Sequence, residues 1–587
     1  MEPHASVSND PRASLIRHYS EDIPDVCLSE IRMALQHLKN SKAPGDDGIT
    51  AELLKAGGKL LLEVLQKLFN SVLHGNITPE AWSRSAVVLF FKKGDNALLK
   101  NYRPISLLSR VYLFAAIVAD SVKTWAVANR RYSTSQKGFL PYEGCYEHNF
   151  VLQETIQQAR RDKGEVVVAW LDLASAFNSV PHSSIHRALE QHGMPAKVRN
   201  VIDSLYKDTR TKVRTSEGFT DPIRLQSGVK QGCPLSPHIF NLTLEVVIRA
   251  MELTGEGFKI RNRRITTLAY ADDIVVLADT PEGMRRLLNA AEEGARSVGL
   301  VFNPAKCATL HIKSDCESAV QDTILNIQGE PMKSLGPNDY YEHLGIPTGY
   351  DVGQTPTSAL KKLLADVKKI DESLLAPWQK LDAVGTFVLP RLYFIMQGAD
   401  VEKDYLREVD RIVKNFAKRW LNLPHRASSE LVFLPPSMGG GGLMPLSDLL
   451  DLYTVTHAFK MLCATDDLVC ELAREGLKET VSERLRKVPS NIDMARYLSG
   501  DLDLPRSTSR SSFWTKARSA ARRMQSKITI RWIWHRGEEE FHIQCGNGAA
   551  GLITPSSRQS LFKKNALTAC SILCPWAPGQ KRPGKGV

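Results

Sequence analysis

Two kinds of hydrophobic spacing alternate along the chain. In residues 24–39, Leu28, Ile31, Leu35 and Leu38 recur every three or four positions, which is the spacing of one helix face. That helix is expected to stop at "NSKAPGDDG", where Pro44, Gly45 and Gly48 mark a turn. A second helical stretch runs to about residue 75. "SAVVLFFKKGD" (85–95) is instead a continuous apolar run closed by a basic turn, and it predicts a strand. Residues 103–126 begin extended, because Pro104 disfavours helix before it, and then become helical.

"EVVVAWLDL" (165–173) predicts a second buried strand, followed by a loop and the helix "SSIHRALEQHG" (183–193). "RITTLAY" and "DIVVLAD" predict a hairpin with Asp272 at its tip. "PEGMRRLLNAAEEGARSVGL" (281–300) places Met284, Leu287, Leu288, Ala291 and Ala295 on one side of a helix. Residues 24–350 therefore read as an α/β or α+β body. After residue 356 the strand pattern fades into helical segments, and "SMGGGGL" (437–443) reads as a flexible break. Beyond about 450 the chain is expected to stay helical and to become more basic. No repeat of 20 to 50 residues is visible.

Composition narrows the class. With 587 residues and 43% hydrophobic content, the chain is globular and long enough for roughly three or four domains. No apolar run reaches the roughly 18 residues that a membrane helix needs, and the start shows no signal-peptide pattern, so an intracellular chain without membrane partners is expected. The ten cysteines form no CxxC pair, so neither a disulfide framework nor a standard zinc site is legible. The net charge of +12 favours a polyanionic partner.

"LAYADDIVVLA" (268–278) sets two adjacent carboxylates, Asp272 and Asp273, in an apolar stretch. Asp-Asp can simply make a tight turn. Asp172, at the end of the strand "VVVAWL", is a third carboxylate at a strand end. Brought together, the three would repel one another unless divalent cations neutralised them. Carboxylates are the hard oxygen ligands of Mg²⁺. Two such ions about 3.5–4 Å apart would serve in-line phosphoryl displacement.

Several segments, in order, give the chain a resemblance to the reverse transcriptases of non-LTR (LINE-type) retrotransposons, and most to the R2-like elements. "LKNSKAPGDDGI" resembles the amino-terminal finger motif. "VVLFFKKGD" and "NYRPISLLS" resemble the paired finger motifs that hold the incoming triphosphate, and "QKGFLPYEGCYEHN" the segment after them. "WLDLASAFNSVPH" looks like palm motif A, "SGVKQGCPLSPHIFNLTLE" like motif B, "YADD" like motif C and "GLVFNPAKC" like motif D. "YEHLGIPTG" resembles the primer grip, while "APWQKLDAVGTFVLPRLYF" and "KRWLNLPHRASSELVFLPPSMGGGGL" resemble the thumb. The resemblance covers roughly residues 24 to 450.

It implies an α+β right-hand polymerase with fingers, palm and thumb and a helical basic C-terminal region. Residues 1–73 would be an N-terminal finger extension, 74–350 the fingers and palm, 351–450 the helical thumb, and 451–587 the basic region. The implied activity is RNA-directed DNA polymerisation with template RNA, primer DNA and dNTPs, using two Mg²⁺ ions for which Mn²⁺ can substitute. Asp172 and Asp272 would ligate both metals with Asp273 beside them, and Leu173 would offer its backbone carbonyl. Phe177 would be the aromatic plate that excludes a 2′-OH. Gln231 and Gly232 would line the nucleotide pocket, Lys93 and Arg103 would neutralise the triphosphate, and Lys306 would protonate pyrophosphate.

Asn178 departs from the family's Asp in "AFDxV". The zinc fingers, Cys/His knuckle and nuclease of R2-like proteins are not legible, which makes the chain resemble a polymerase-bearing fragment. Nuclear residence follows only from the resemblance. Two rival readings are an RNA-dependent RNA polymerase and an inactive retroelement remnant that binds nucleic acid. Finally, Arg506 to Arg536 holds nine Lys/Arg and no Asp or Glu, with Trp514, Trp532 and Trp534 interleaved. This pattern makes Arg522, Arg523, Trp532 and Trp534 candidate nucleic-acid contacts, through phosphate pairing and base stacking. The other possibility is a helix with core tryptophans and solvated arginines.

Overall fold

The computed structural model describes residues 23–545, except 46, 76, 110–112, 163, 317, 435, 437–438, 503–511 and 526–529, together with 552–553. Arg506, Arg510, Lys527, Cys570 and Cys574 lie outside the described residues. The chain divides into two compact units, one of residues 1–148 and 155–341, the other of 149–154 and 342–587.

The first unit opens with helices α1 (Leu28–His37) and α2 (Gly58–Gly75). The apolar spacing buries Ile31 and Leu35 of α1 as expected. Strands β1 (Arg84–Phe91) and β2 (Tyr102–Leu107) pair antiparallel, with Phe90 opposite Arg103. Helix α3 (Leu113–Ala128) is buried around most of its circumference, as befits an interior helix. Helix α4 spans Gly144–Arg161.

A six-stranded sheet forms the middle of this unit. Its central strand, β3 (Glu165–Leu171), is buried from Val166 onward. That continuous Val-rich run, rather than an in–out alternation, is what a strand covered on both faces requires. A second sheet strand, β4 (Arg210–Thr215), runs parallel to β1 in the neighbouring sheet. Helix α5 (Ser236–Glu252) follows. Strands β5 (Thr267–Tyr270) and β6 (Asp273–Ala278) form the expected hairpin, with Asp273 opposite Tyr270. Thr280 caps α6 (Pro281–Ser297) by accepting the Gly283 N–H, and the apolar face read from the sequence is buried. Strand β7 (Ala308–Lys313) pairs with β3 on the side opposite β6.

The second unit is largely helical. Its amphipathic helix α7 spans Lys403–Trp420, and α8 (Leu446–Leu462) is buried along nearly its whole length. Two expectations are corrected here. The glycine run is not a flexible break. The Gly441 and Gly442 N–H groups donate to the Leu431 and Leu434 carbonyls at 2.9 and 2.8 Å, and a Cβ on Gly441 would stand 2.7 Å from the Val432 oxygen. These glycines permit close backbone approach.

The chain beyond 450 is also not all helical. After α9 (Phe513–Met524), strands β8 (Ile530–His535), β9 (Glu540–Cys545) and β10 (Leu552–Ile553) make an antiparallel sheet. "IRWIWH" alternates, with Ile530 and Trp532 buried and Arg531 exposed. That is a period of two rather than 3.6, in residues with high strand preference.

Candidate active site

Three segments converge at one end of β3. The last paired residues of β3 and β6 are Leu171 and Ile274. One step further along the same antiparallel register, Asp172 stands opposite Asp273. Asp272 sits in the two-residue turn between β5 and β6. Register alone therefore brings the three strand-end carboxylates together.

Asp172 is held by the turn before β7. Its N–H donates to the Cys307 Sγ at 3.3 Å, and its carbonyl accepts the Asn303 N–H at 2.8 Å. The Lys306 Nζ donates to Asp172 Oδ2 at 3.2 Å from an exposed position. Leu173 is buried and bridges to Phe302.

The electrostatics are those of crowded like charges. Burial raises the Asp272 carboxyl above its ordinary range, the Asp172 charge raises it further, and Lys306 and Arg103 pull it back. Asp273 is pushed up to about 6 by loss of solvation and then by the charges of Asp272 and Asp172, although its side chain still reaches solvent. Both turn carboxyls therefore hold their protons to higher pH than a free aspartate, and a cation placed there would offset the crowded charge.

Phe177 is half-buried. Its ring stacks on Phe240 with centroids 4.3 Å apart and meets Phe139 edge-on at 6.3 Å. Gln231 and Gly232 sit against β2, where the Ser106 N–H donates to the Gln231 carbonyl at 2.8 Å. Gly232 has φ +115°, and a Cβ there would lie 2.8 Å from the Ser106 oxygen, so only glycine fits. The Gln231 side chain donates to Asn178 Oδ1 at 3.2 Å. Asn178 thus keeps the acceptor oxygen that Asp would have offered. Arg103 is exposed on β2 and its charge is felt by Asp272, whereas Lys93 is exposed on the turn after β1.

Residues that sequence reasoning left without a role also shape the site. Ala271 has φ +54°, an unfavourable left-handed conformation for a residue with a Cβ. Its N–H donates to Gln136 Oε1 at 2.9 Å, and the same oxygen accepts the Gly138 N–H at 2.8 Å. Gln136 is fully buried. Tyr341 stacks on Trp170 at 5.3 Å, and burial, followed by the charges of Asp172 and Asp273, raises its phenol. Lys230 is buried with its Nζ donating to the Trp82 and Leu205 carbonyls at 3.0 and 3.3 Å, and desolvation pulls it down to about 8. Gln136 and Lys230 stand inside quoted motifs, but spacing gives no sign that their side chains turn inward.

The expected contacts near the C terminus are largely redirected. Trp532 is only 3% exposed and packs against Phe459 and Phe541, so it has no free face for a base. Trp514 is likewise buried. Trp534 is half-buried, edge-on to Phe541 at 4.9 Å, with the Arg474 guanidinium 5.8 Å from its ring centroid. Arg523 forks onto buried Asp451, with Nη2 to Oδ1 at 2.6 Å and Nε to Oδ2 at 3.0 Å, and Lys403 donates to the same carboxylate. Of the four, Arg522 is an exposed side chain, with no such ion pair among the described residues.

Residues 91–346 match the family model described as reverse transcriptase (RNA-dependent DNA polymerase). The chain is 28% identical over 407 residues to the retrovirus-related Pol polyprotein from type-1 retrotransposable element R2 of Nasonia vitripennis, which covers 68% of this chain and 38% of that protein. It is 27% identical over 425 residues to the Pol polyprotein of element R2DM of Drosophila melanogaster, covering 71% and 39%. The R2 Pol polyprotein of Bradysia coprophila aligns over 498 residues at 26%, covering 84% and 56%. The chain thus spans from about two-fifths to just over half of the length of these relatives. Motif order, the carboxylate cluster and the family match make residues 91–346 a reverse transcriptase domain, and the chain around it is similar to the Pol polyproteins of R2 retrotransposable elements.

Proposed function

We propose that this chain is an RNA-directed DNA polymerase that adds dNTPs to a primer 3′-OH by two-metal phosphoryl transfer. The observation that carries the reading is the register that sets Asp172 beside the Asp272–Asp273 turn, with both turn carboxyls raised by burial and by the Asp172 charge. A donor set of carboxylate oxygens suits a hard cation such as Mg²⁺, with Mn²⁺ as substitute. Bound there, the ions supply Lewis acidity to the attacking and leaving oxygens.

The chain's own residues do the rest. Asp172 and Asp272 hold both ions with Asp273 beside them, and Leu173 contributes its carbonyl. Arg103 and Lys93 neutralise the triphosphate. Gly232 admits the nucleotide close to the backbone, and Gln231, fixed by Asn178, borders the same pocket. Phe177, braced by Phe240, excludes a ribose 2′-OH. Lys306 leaves Asp172 to donate a proton to the departing pyrophosphate. Residues 74–350 serve as fingers and palm behind the extension of residues 1–73, residues 351–450 as thumb, and residues 451–587 as a basic region in which Arg522 contacts phosphate. Template RNA and primer DNA are the partners.

Primer extension on an RNA template tests the reading. Activity should require Mg²⁺ or Mn²⁺, and Asp272→Ala should lower the rate by at least roughly 10²-fold, the scale of losing one major electrostatic stabiliser. A folded Asp272→Ala protein with undiminished activity sinks the assignment. A wild-type protein that binds RNA but extends no primer is the inactive remnant instead.

A further inference from the structure

The C-terminal hairpin carries a second cluster of ligand-type side chains, in the second unit and remote in sequence from the polymerase carboxylates. Glu540 and His542 are two apart on β9, so they share one face of the strand. Glu538 comes from the turn just before it. One ligand atom from each of the three lies within 4.8 Å of the others. His535, opposite Glu540 in the ladder, stacks its ring on His542 with centroids 5.1 Å apart and planes inclined by 8°. Its Nδ1 accepts the Glu538 N–H at 3.2 Å, which fixes the turn.

His542 supplies an independent sign. It is 3% exposed, and its Nε2 is buried without a hydrogen-bond partner. The nearest carboxylate oxygen, Glu538 Oε2, stands 2.9 Å away but outside hydrogen-bonding geometry. A buried imidazole nitrogen without a partner is costly, and native proteins seldom leave one. Here it faces two carboxylates.

We propose that Glu538, Glu540 and His542 bind a first-row divalent cation of the Zn²⁺ type, with a water in the remaining position. One imidazole and two carboxylates form an N,O₂ set that suits Zn²⁺ better than Mg²⁺, which usually keeps to oxygen and water. Tetrahedral Zn²⁺ with bonds of about 2.1 Å sets its ligands about 3.4 Å apart. The 2.9 Å pair therefore opens slightly and the widest separation closes, both within reach of side-chain rotation about an exposed Glu538. The ion ties the turn to β9 and gives the hairpin a fixed end. The set contains no cysteine, so no paired-cysteine spacing marks it in the sequence.

The site is independent of the polymerase reading, and its test separates the two. Full-length protein is titrated with Zn²⁺ against a chromogenic chelator, and with Co²⁺ while its visible d–d absorption is followed. One Zn²⁺ should bind outside the polymerase carboxylates, and Co²⁺ should give the stronger absorption of a four-coordinate site. Glu540→Gln should weaken Zn²⁺ by more than about 10-fold, since even outer-shell changes cost 10–100-fold, and should leave primer extension in Mg²⁺ unchanged. His542→Ala should abolish the Co²⁺ spectrum. Glu538→Gln, at an exposed position, serves if His542→Ala does not fold. Asp272→Asn should leave this binding intact. Equal Zn²⁺ affinity in wild type, Glu540→Gln and Glu538→Gln, or no Zn²⁺ retained at micromolar free metal, overturns the proposal and leaves the Glu538–His542 pair as an ordinary ion pair.

Discussion

Gln136→Ala should damage the proposed polymerase site without removing any proposed metal ligand. The side chain is fully buried, and its Oε1 accepts two N–H groups, from Ala271 at 2.9 Å and Gly138 at 2.8 Å. Each buried donor left unsatisfied costs about 1–3 kcal/mol, so the substitution should cost about 2–6 kcal/mol in all. Against a total stability of about 5–15 kcal/mol, the protein should still fold at the lower end of that loss. The effect on rate has a separate origin. Ala271 holds φ +54° at the hairpin tip, and without its acceptor the turn is free to relax toward an ordinary conformation. Asp272 would move with it.

A displacement of about 1 Å in a reacting constellation can cost 10²-fold. Single-nucleotide extension should therefore show kcat reduced by up to about 10²-fold, with primer–template affinity little changed. Urea denaturation gives the stability term. Gln136→Glu keeps an acceptor oxygen for both N–H groups and should retain more activity than Gln136→Ala. A folded Gln136→Ala protein with destabilisation under about 1 kcal/mol and wild-type kcat would refute the idea that this side chain holds the turn.

Three further outcomes follow from the same geometry. Phe177→Ala should admit ribonucleotides while dNTP use falls much less, and an unchanged dNTP-to-rNTP preference in competition assays would make the ring a core residue only. Burial pushes Glu245 up to about 8 in the folded chain. A carboxyl with a higher pKa folded than unfolded makes stability fall as pH rises from about 4.3 toward 8, and Glu245→Gln should flatten denaturation midpoints across that window. Trp532→Ala should cost about 3–5 kcal/mol as a large-to-small core change and leave the RNA affinity of the folded fraction unchanged. Lost affinity without lost stability would restore it as a base-stacking surface.

How much of this was legible depends on where the information lies. The β5–β6 hairpin, α6 and the buried β3 were readable because each is set by local periodicity. The cluster of carboxylates was readable only as a supposition, since the register between β3 and β6 joins segments about 100 residues apart and no local pattern encodes it. The C-terminal basic run misled because composition says nothing of direction. Trp514 and Trp532 face the core of their unit, and Arg523 forks onto Asp451, a carboxylate on α8 some 70 residues earlier. A period-two reading of "IRWIWH" was available and would have given the strand. The buried partners of its neighbours were not.

The paired aspartates also show why the turn matters more than its sequence suggests. Neighbouring side chains on a strand point to opposite faces, so Asp272 and Asp273 on a regular strand would separate, one toward Asp172 and one away from it. Here both carry the influence of the Asp172 charge. The hairpin resolves the conflict by leaving only Asp273 on β6 and placing Asp272 in the turn, after a residue with left-handed backbone. Glycine would adopt that conformation without strain, but it would also loosen the tip. Alanine with a buried glutamine acceptor fixes the conformation through a hydrogen bond instead. The cost of φ +54° at Ala271 is thereby coupled to the position of a proposed metal ligand, which is why a residue well before the Asp-Asp pair in sequence should control its chemistry.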